Sequence, residues 1–354
     1  MAEPNFTLSN AAFALSPMVL RATTDPGKSM TLSVNNMSGK MMQVTLTADV
    51  DGVAVYDVSP LVRAFISAQF LRGNIEADKE SPYGAYLTIR LDNTYALQGK
   101  MLWARAAPAL VQATGIEDGL DTPAWLYPNG YVYRKGAPEG ILTGYGRKYL
   151  HPTCYVMNKR TGVVKNLSVG PFFSMYDDVY GYGDRIFSSL EAGEYLVYQN
   201  NNTSYMPLDL VVEDCFPADA INDGSMAYVR FCNQWGGISY ALLQVTQRSV
   251  KNKATYVQKA YSLDDAGDGN YYHVAPDRVL TGQEITPSFK AGKDKLSRAE
   301  LNELQSILVS PMVDMYDAET GEWIPVYPAD ATVTQTNAAL QEITIDFNLN
   351  TEGF

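Results

Sequence analysis

Residues 296–311, LSRAELNELQSILVSP, predict the one well-defined α-helix in a chain whose other patterns are mostly those of strands and turns. Ser297 stands at the N-cap position and Glu300 follows three residues later, the spacing at which the two side chains satisfy each other's free backbone N–H groups. Pro311 prevents the helix from continuing. The apolar residues of one helical face are Leu301, Leu304, Ile307 and Leu308. This stripe has to be buried, so we predict a helix over 297–310 that packs on the surrounding strands.

The segments around this helix alternate apolar and polar residues with the period of two that is typical of half-buried strands. The strands predicted here are 228–232, 240–245, 255–261, 313–316, 323–327 and 343–349. We therefore predict a β-rich C-terminal domain, residues 226–354, with one packed α-helix.

The first part of the chain has short alternating runs, at 30–34, 44–50 and 86–91, separated by turn signals at intervals of about ten residues. This spacing favours an N-terminal β-sandwich, which we assign to residues 1–115. Ser59 as N-cap and Pro60 at the first helical position predict a short helix within it.

The middle segment, residues 116–225, is rich in Tyr, Gly and Pro and predicts strands with long loops. Tyrosine buries a large area and keeps a polar tip, so it is enriched at interfaces. The candidate interaction residues are Trp125, Tyr127, Tyr131, Tyr133, Tyr176, Tyr180, Tyr182 and, from the C-terminal domain, Trp235. The alternative is that alternate tyrosines line the core and the edges of a sheet.

Trp235 belongs to the turn NQWGG at 233–237, between two predicted strands. An exposed Trp there stacks well on a sugar ring or on a partner side chain. In the alternative interpretation, which we favour, the turn is a structural corner whose amide side chains satisfy the loop backbone.

The composition limits the classes of partner. A chain of 354 residues suggests two or three domains. A net charge of −12 argues against a nucleic-acid partner, because phosphate binding needs clustered Lys and Arg. No apolar run approaches the ~20 residues that span a bilayer, and the N-terminus lacks the pattern of a signal peptide. Three scattered cysteines suit a reducing compartment, where each acts as a small buried hydrophobe.

No motif for catalysis or cofactor binding is present, so we expect neither an enzyme nor a bound cofactor. Asp264, Asp268 and Gly269 match three positions of a calcium loop. Ala266 and Ala275 replace ligands that such a loop requires, so a solvated hairpin loop is favoured and no metal is expected.

The C-terminal third contains an ordered series of short stretches: RF at 230–231 leading into NQWGG, KATY at 253–256, ITP at 285–287, the capped helix ending SPMV at 310–313, WIPV at 323–326 and ITIDF at 343–347, with SPM at 16–18 and DVSP at 57–60 earlier in the chain. This order of elements resembles structural proteins from tail modules of phages and prophages of Bacteroidetes bacteria. The resemblance implies a virion protein of the tail tip or baseplate, similar in role to distal tail proteins. It implies a homo-oligomeric ring, three- or six-fold by analogy, that contacts other tail proteins. It supplies no catalytic residues.

A second hypothesis remains open. The Tyr- and Trp-bearing loops also fit a β-sandwich module that binds carbohydrate or a host receptor, such as a host-surface glycan.

Overall fold

The chain folds mainly into β-strands, which confirms the predicted fold class. The computed structural model describes residues 5–8, 14–36, 39, 41–69, 84–92, 94–102, 114–115, 119–120, 124–125, 130–138, 142–145, 154–166, 172–173, 179–182, 187, 189–199, 207–235, 237–258, 263–265, 271–273, 278–334 and 341–349. The strands are β1 Asn5–Leu8, β2 Val19–Thr23, β3 Ser29–Asn36, β4 Met41–Thr47, β5 Val53–Asp57, β6 Gly84–Leu91, β7 Thr94–Leu102, β8 Thr114–Gly115, β9 Gly119–Leu120, β10 Ala124–Trp125, β11 Tyr131–Arg134, β12 Leu142–Tyr145, β13 Cys154–Asn158, β14 Val164–Asn166, β15 Phe172–Phe173, β16 Val179–Tyr182, β17 Gly193–Gln199, β18 Leu208–Glu213, β19 Met226–Cys232, β20 Ile238–Gln258, β21 Leu263–Asp265, β22 Tyr271–His273, β23 Arg278–Leu296, β24 Val313–Asp317, β25 Glu322–Thr334 and β26 Gln341–Leu349. The helices are α1 Ser59–Gln69, α2 Ala218–Asn222 and α3 Arg298–Leu304, the last continued by a 3-10 helix over Gln305–Val309.

The N-terminal part consists of two antiparallel sheets, β1-β2-β5 and β4-β3-β6-β7, that share a core with α1. The first α-helical hydrogen bonds of α1 are accepted by the carbonyl of Val58, and the Asp57 carboxylate accepts the N–H of Ser59 at 3.0 Å. The predicted capping role of Ser59 is therefore wrong by one position. Asp57 also accepts the N–H of Met18 at 2.9 Å, so one carboxylate fixes both the helix start and the adjacent strand.

The middle segment contributes a four-stranded sheet, β10-β12-β16-β15, and a five-stranded sheet, β11-β18-β17-β13-β14. In the five-stranded sheet β11 and β18 are parallel, while the other pairs are antiparallel. Short helix α2 follows at 218–222, just before the domain boundary predicted between residues 225 and 226, and its Ile221 is buried in the shared core. The three predicted domain ranges remain a prediction.

The C-terminal strands close into a barrel in the order β19-β20-β23-β26-β25-β24. Closure comes from β19 pairing with β24, where Val229 lies opposite Met315. The barrel interior is filled by apolar side chains from all six strands, among them Val229, Leu243, Ala291, Val313, Val326 and Ile345. Because α3 follows the end of β23 and its stripe joins this same core, it packs into one end of the barrel rather than on an open sheet face.

The predicted capping box is present in α3. Glu300 N donates to Ser297 Oγ at 3.3 Å and Ser297 N donates to Glu300 Oε2 at 2.8 Å. The prediction of an α-helix to residue 310 is wrong beyond Leu304, where the chain tightens into the 3-10 form with three residues per turn. Ile307 consequently stays buried, whereas Leu308 turns outward and is 38% exposed.

A second correction concerns the strands predicted at 240–245 and 255–261. Residues 238–258 form one continuous strand, β20. The stretch between the two predictions, TQRSVKNKA at 246–254, carries little apolar periodicity because it has no core to face. Residues 247–254 are nevertheless part of a strand because they pair with residues 283–290 of β23.

Strand β19 is buried on both faces. Tyr228 faces the core shared with the N-terminal and middle parts, while its neighbour Val229 faces the barrel interior. Around Tyr228 lie aromatic rings from the adjoining segments, at centroid distances of 4.9 Å to Phe216 and 5.8 Å to Trp323. The barrel is thus packed against the rest of the molecule through β19, with further side chains from β20, β24 and β25, among them Tyr240, Tyr316 and Trp323.

Candidate functional site

Among the described residues, a two-stranded ribbon stands out by its exposure, and we define it as residues 246–258 of β20 and 278–287 of β23. Pairing of β20 with β19 stops at Gln244, and pairing of β23 with β26 begins at Ser288. Within the described residues, the two ribbon strands pair only with each other. The part beyond the barrel, residues 250–258 paired with 278–287, extends roughly 30 Å at about 3.3 Å per residue.

One face of the ribbon is largely apolar. In an antiparallel pair, directly opposed residues project from the same face. Val250 lies opposite Pro287, and Tyr256 lies opposite Leu280. Three of these side chains are 66% (Val250), 55% (Tyr256) and 48% (Leu280) exposed, and Ile285 on the same face is 47% exposed.

The other face of the ribbon is mostly polar. The hydroxyls of Ser249 and Ser288 lie 2.9 Å apart, and beyond them come Lys251 and Lys253, both exposed. Val257 is the apolar exception, with an exposed fraction of 55%. The ribbon is therefore an amphipathic element with its apolar side in solvent.

The apolar face continues into the open end of the barrel, which we call the mouth. A cavity of about 380 Å³ lies there. Its lining joins the base of the ribbon to the barrel wall: Val245, Arg248, Ser249, Val250, Pro287, Ser288, Phe289, Met315 and Leu349. Phe289 is buried and stacks on Phe347 at 4.9 Å, and the exposed Arg248 lies directly opposite Phe289, so one cation stands where the apolar face meets the barrel core.

The apolar face of the ribbon and the adjoining barrel mouth can bind the surface of a partner protein. Two-stranded ribbons are at best marginally stable alone, and contiguous exposed apolar area marks interaction sites. The free backbone edges of the ribbon add hydrogen-bonding groups that a partner strand can satisfy.

The opposite end of the barrel holds a smaller, polar cavity of about 150 Å³ beside α3. It is lined by Gln234, Asn302, Gln305, Ser306 and Val309. The hydroxyl of Ser306 is buried and accepts the N–H of Gln234 at 3.2 Å, so the turn at 233–237 is tied to the 3-10 helix.

Asn233 organises that turn. Its side-chain oxygen accepts the N–H groups of Trp235 at 2.9 Å and Gly237 at 3.1 Å, and its amide nitrogen donates to Ser239 Oγ at 2.9 Å. Asn233 and Ser239 have no exposed surface. The structural-corner interpretation is thereby confirmed for Asn233, while Trp235 is half-buried.

Glu303 of α3 completes this polar chain because the Ser239 hydroxyl donates to its carboxylate. Burial raises the pKa of Glu303 from its ordinary 4.5 to about 7. The nearby Glu300 raises it further, whereas Ser239, Lys293 and Arg134 of β11 lower it. A residue of the middle segment thus acts electrostatically on the barrel helix.

Only some of the Tyr and Trp residues predicted to form an interaction surface lie within the described residues. Tyr131 and Tyr133 are buried, at 6% and 3% exposure, and Tyr133 packs on Phe187 with ring centroids 5.5 Å apart. These two follow the alternative in which tyrosines line the core. Trp125 lies in β10, and Tyr180 and Tyr182 lie in β16 of the same sheet, whereas Tyr127 and Tyr176 fall outside the described residues. An interface role for the remaining residues stays a prediction.

Two smaller expectations have mixed outcomes. Cys232 is buried, as expected of a small core residue, and burial raises its pKa. Cys215 is exposed in the connection after β18, so the prediction that it is buried is wrong.

Strands β21 and β22 pair as a hairpin around the loop that partly resembles a calcium site, and residues 266–270 lie outside the described residues. In the described part of the chain, no group of three His, Cys, Asp or Glu side chains is placed to hold a metal ion.

Sequence reasoning missed the ribbon as a site. The available signal was the spacing of Val250, Ala254 and Tyr256, which lie on the same side of one strand but are separated by charged and polar residues.

No helix in the described ranges is long and apolar enough to cross a membrane.

No family model and no curated protein matches the chain. Among solved structures, the tail of an empty GTA particle with C6 symmetry is 10% identical over 35% of this chain and 90% of its own, with a TM-score of 0.21. A tetra-tandem repeat from the extending region of a large adhesion protein is 11% identical over 98% of this chain and 90% of its own, with a TM-score of 0.20. The N-terminal four Ig domains of Dscam1 isoform 4.44 are 10% identical over 82% of this chain and 70% of their own, also with a TM-score of 0.20. The chain is weakly similar to these structures, and scores this low carry no argument about its function.

Proposed function

We propose that this chain is a non-enzymatic structural subunit of a bacteriophage tail tip or baseplate, located in the virion tail. It acts by assembling with further copies of itself and with neighbouring tail proteins. The assignment to a phage tail rests on the sequence resemblance of the C-terminal third. The assignment to an assembling structural role rests on the ribbon.

The single observation that carries the structural role is the exposed apolar face that runs from the ribbon into the barrel mouth. Val250, Tyr256, Leu280 and Ile285 are each about half exposed or more, on an element that no other described strand supports. Burying such side chains in a contact contributes on the order of 1–3 kcal/mol each. A neighbouring protein seated on this face gains that energy and also stabilises the ribbon.

The test uses two valines of the same strand as a matched pair. Val250 is on the apolar face at 66% exposure, and Val257 is on the polar face at 55% exposure. We expect Val250→Asp to weaken assembly by about a hundredfold or more, because a contact on the apolar face would bury an unpaired charge. Val257→Asp should change assembly by less than about tenfold. Sedimentation and negative-stain electron microscopy of the purified chain, alone and with neighbouring tail proteins, provide the measurement.

If Val250→Asp and Val257→Asp weakened assembly equally, the apolar face of the ribbon would not be the contact surface. A wild-type chain that stays monomeric under all these conditions, yet is retained on a glycan array, would overturn the structural role in favour of the carbohydrate-binding hypothesis.

A further inference from the structure

A β-bulge at the base of the ribbon determines which side chains face the barrel mouth. The register of β20 against β23 shifts between Val245 and Gln247, so Thr246 is an extra residue on β20. Side chains alternate between the two faces of a strand, and a bulge re-aims those that follow it. The extra residue therefore moves Arg248 and Val250 to the face on which Val245 packs against the barrel core. An arginine is thereby placed at the apolar mouth.

The turn after α2 holds the Arg248 side chain in place. Its Nη2 donates to the carbonyl of Gly224 at 3.2 Å, and the guanidinium lies so close to this glycine that a Cβ there would overlap it. The same turn is bonded to the base of the ribbon, because the N–H of Val245 donates to the carbonyl of Ser225 at 2.8 Å. Arg248 is therefore an exposed cation with a defined position.

Among the described residues that line the mouth cavity, Arg248 is the only charged one. It forms no ion pair within the described part of the chain, and the rest of its N–H donors have no acceptor there. The lining around it is mostly apolar, with Val250, Phe289, Met315 and Leu349. A guanidinium presents its donors in a planar fork that matches a carboxylate. Apolar walls with one fixed polar group are the usual composition of a binding pocket.

We propose that the mouth binds an apolar side chain of a neighbouring tail protein, on a segment that carries a carboxylate next to it. The apolar side chain fills the cavity between Val250, Phe289 and Met315, and the carboxylate accepts the free N–H groups of Arg248. This inference rests on the proposed function, because it names the chemistry of the partner that the apolar face receives.

Size and charge favour this occupant. The cavity of about 380 Å³ is at the lower end of the ~300–1,000 Å³ that ligand pockets span, so it takes one large side chain with its adjoining backbone. The net charge of −12 disfavours a partner that is strongly acidic overall. At physiological salt, however, charges act over only about 8 Å, so a single carboxylate at Arg248 decides the local contact.

Two blocked peptides of equal size are the probes: acetyl-Gly-Phe-Asp-Gly-amide and acetyl-Gly-Phe-Asn-Gly-amide. Methyl NMR of the full chain, labelled at methionine, follows their binding because Met315 lines the cavity. We expect both peptides to shift the Met315 methyl signal, and the Asp peptide to bind about three- to tenfold more tightly at about 0.05 M salt. In about 1 M salt this preference should fall below about twofold.

Three variants assign the preference to one side chain. Arg248→Gln should bind both peptides as weakly as the wild-type chain binds the Asn peptide, and its continued response to that peptide shows that the mouth is folded. Arg248→Lys should keep part of the preference, because it retains the charge without the planar fork. The control is Arg160→Gln, which removes an exposed arginine from the turn between β13 and β14 and should leave the preference unchanged.

Assembly with neighbouring tail proteins gives a second readout. We expect Arg248→Gln to weaken it about tenfold and to reduce its salt dependence, whereas Arg160→Gln should have no effect.

Equal binding of the two peptides to the wild-type chain, or no response of Met315 to either, would overturn the inference. A fatty acid retained by the purified chain in native mass spectrometry would also overturn it, because the cavity would then belong to a small amphipathic ligand. If Arg248→Gln assembled normally while Val250→Asp did not, the inference would fail and the proposed function would stand. A wild-type chain that never assembles would refute the proposed function, while the peptide preference would still decide the chemistry of the mouth.

Discussion

Glu303 is a carboxyl group whose pKa the fold raises from the ordinary 4.5 to about 7, close to neutrality. Its carboxyl group is partly shielded from solvent and accepts a hydrogen bond from the Ser239 hydroxyl, whose oxygen in turn accepts one from the Asn233 amide. The folded protein therefore binds a proton at Glu303 more tightly than the unfolded chain does. The stability associated with that proton is complete below pH ~4.5 and is lost as the pH rises through about 7.

The substitution Glu303→Gln tests this linkage. Glutamine resembles the protonated carboxyl and keeps an oxygen that accepts from Ser239. We expect little change in the free energy of unfolding at about pH 4.5 and a gain of up to about 3 kcal/mol at about pH 8, from 1.36 kcal/mol per pKa unit. Urea unfolding across this pH range measures it. A gain that is the same at every pH would contradict the raised pKa.

At the scale of one element, α3 shows how a change of helical form redirects side chains. Leu301, Leu304 and Ile307 enter the barrel core at 1%, 5% and 0% exposure. Leu308 would continue the stripe of an α-helix, but the 3-10 turn places it outside at 38% exposure.

Two aspartate substitutions separate these positions. Leu304→Asp buries an unpaired charge, and we expect it to lower the free energy of unfolding by more than about 4 kcal/mol. Leu308→Asp should cost about 0.5 kcal/mol or less, because the side chain already reaches solvent. Thermal melting of the two variants is the measurement. Comparable losses would mean that the last turn is α-helical in solution.

The same element shows what sequence can and cannot predict. Ser297 and Glu300 are three residues apart, so the capping box is a local property and was predicted correctly. The ribbon depends on β20 and β23 finding each other, with Lys253 opposite Glu284 across 31 residues of chain, and no local pattern encodes that pairing. The closed barrel depends on still longer separations, such as Arg230 with Asp314, 84 residues apart. The sequence therefore predicted the strands and the helix, but neither the closure nor the surface we now consider functional.

At the scale of the whole molecule, β19 joins the barrel to the rest of the chain. Tyr228 is fully buried and contacts Phe216 from the connection before α2, as well as Trp323 from β25. Arg230, two residues on, lies 4.5 Å from the Trp323 ring centre and 3.0 Å from the buried carboxylate of Asp314. The two cores share these groups and should unfold together.

We expect a single thermal transition for the wild-type chain. Tyr228→Ala should lower the free energy of unfolding by about 3–5 kcal/mol, as for other large aromatic truncations in a core. Hydrogen exchange should then accelerate in both β17 of the middle segment and β26 of the barrel. Acceleration confined to β26 would show that the two cores unfold independently.

The position of β26 in the barrel has a consequence for how the protein is made. This strand is the last described one in the chain, yet it lies between β23 and β25. While the chain leaves the ribosome, Phe289 and Ala291 have no covering strand until residues 341–349 have been synthesised. Nascent chains in this interval expose the barrel interior together with the apolar ribbon, at a time when other nascent copies are close by. Slower synthesis of residues 292–349 would therefore be expected to increase misassembly between unfinished copies.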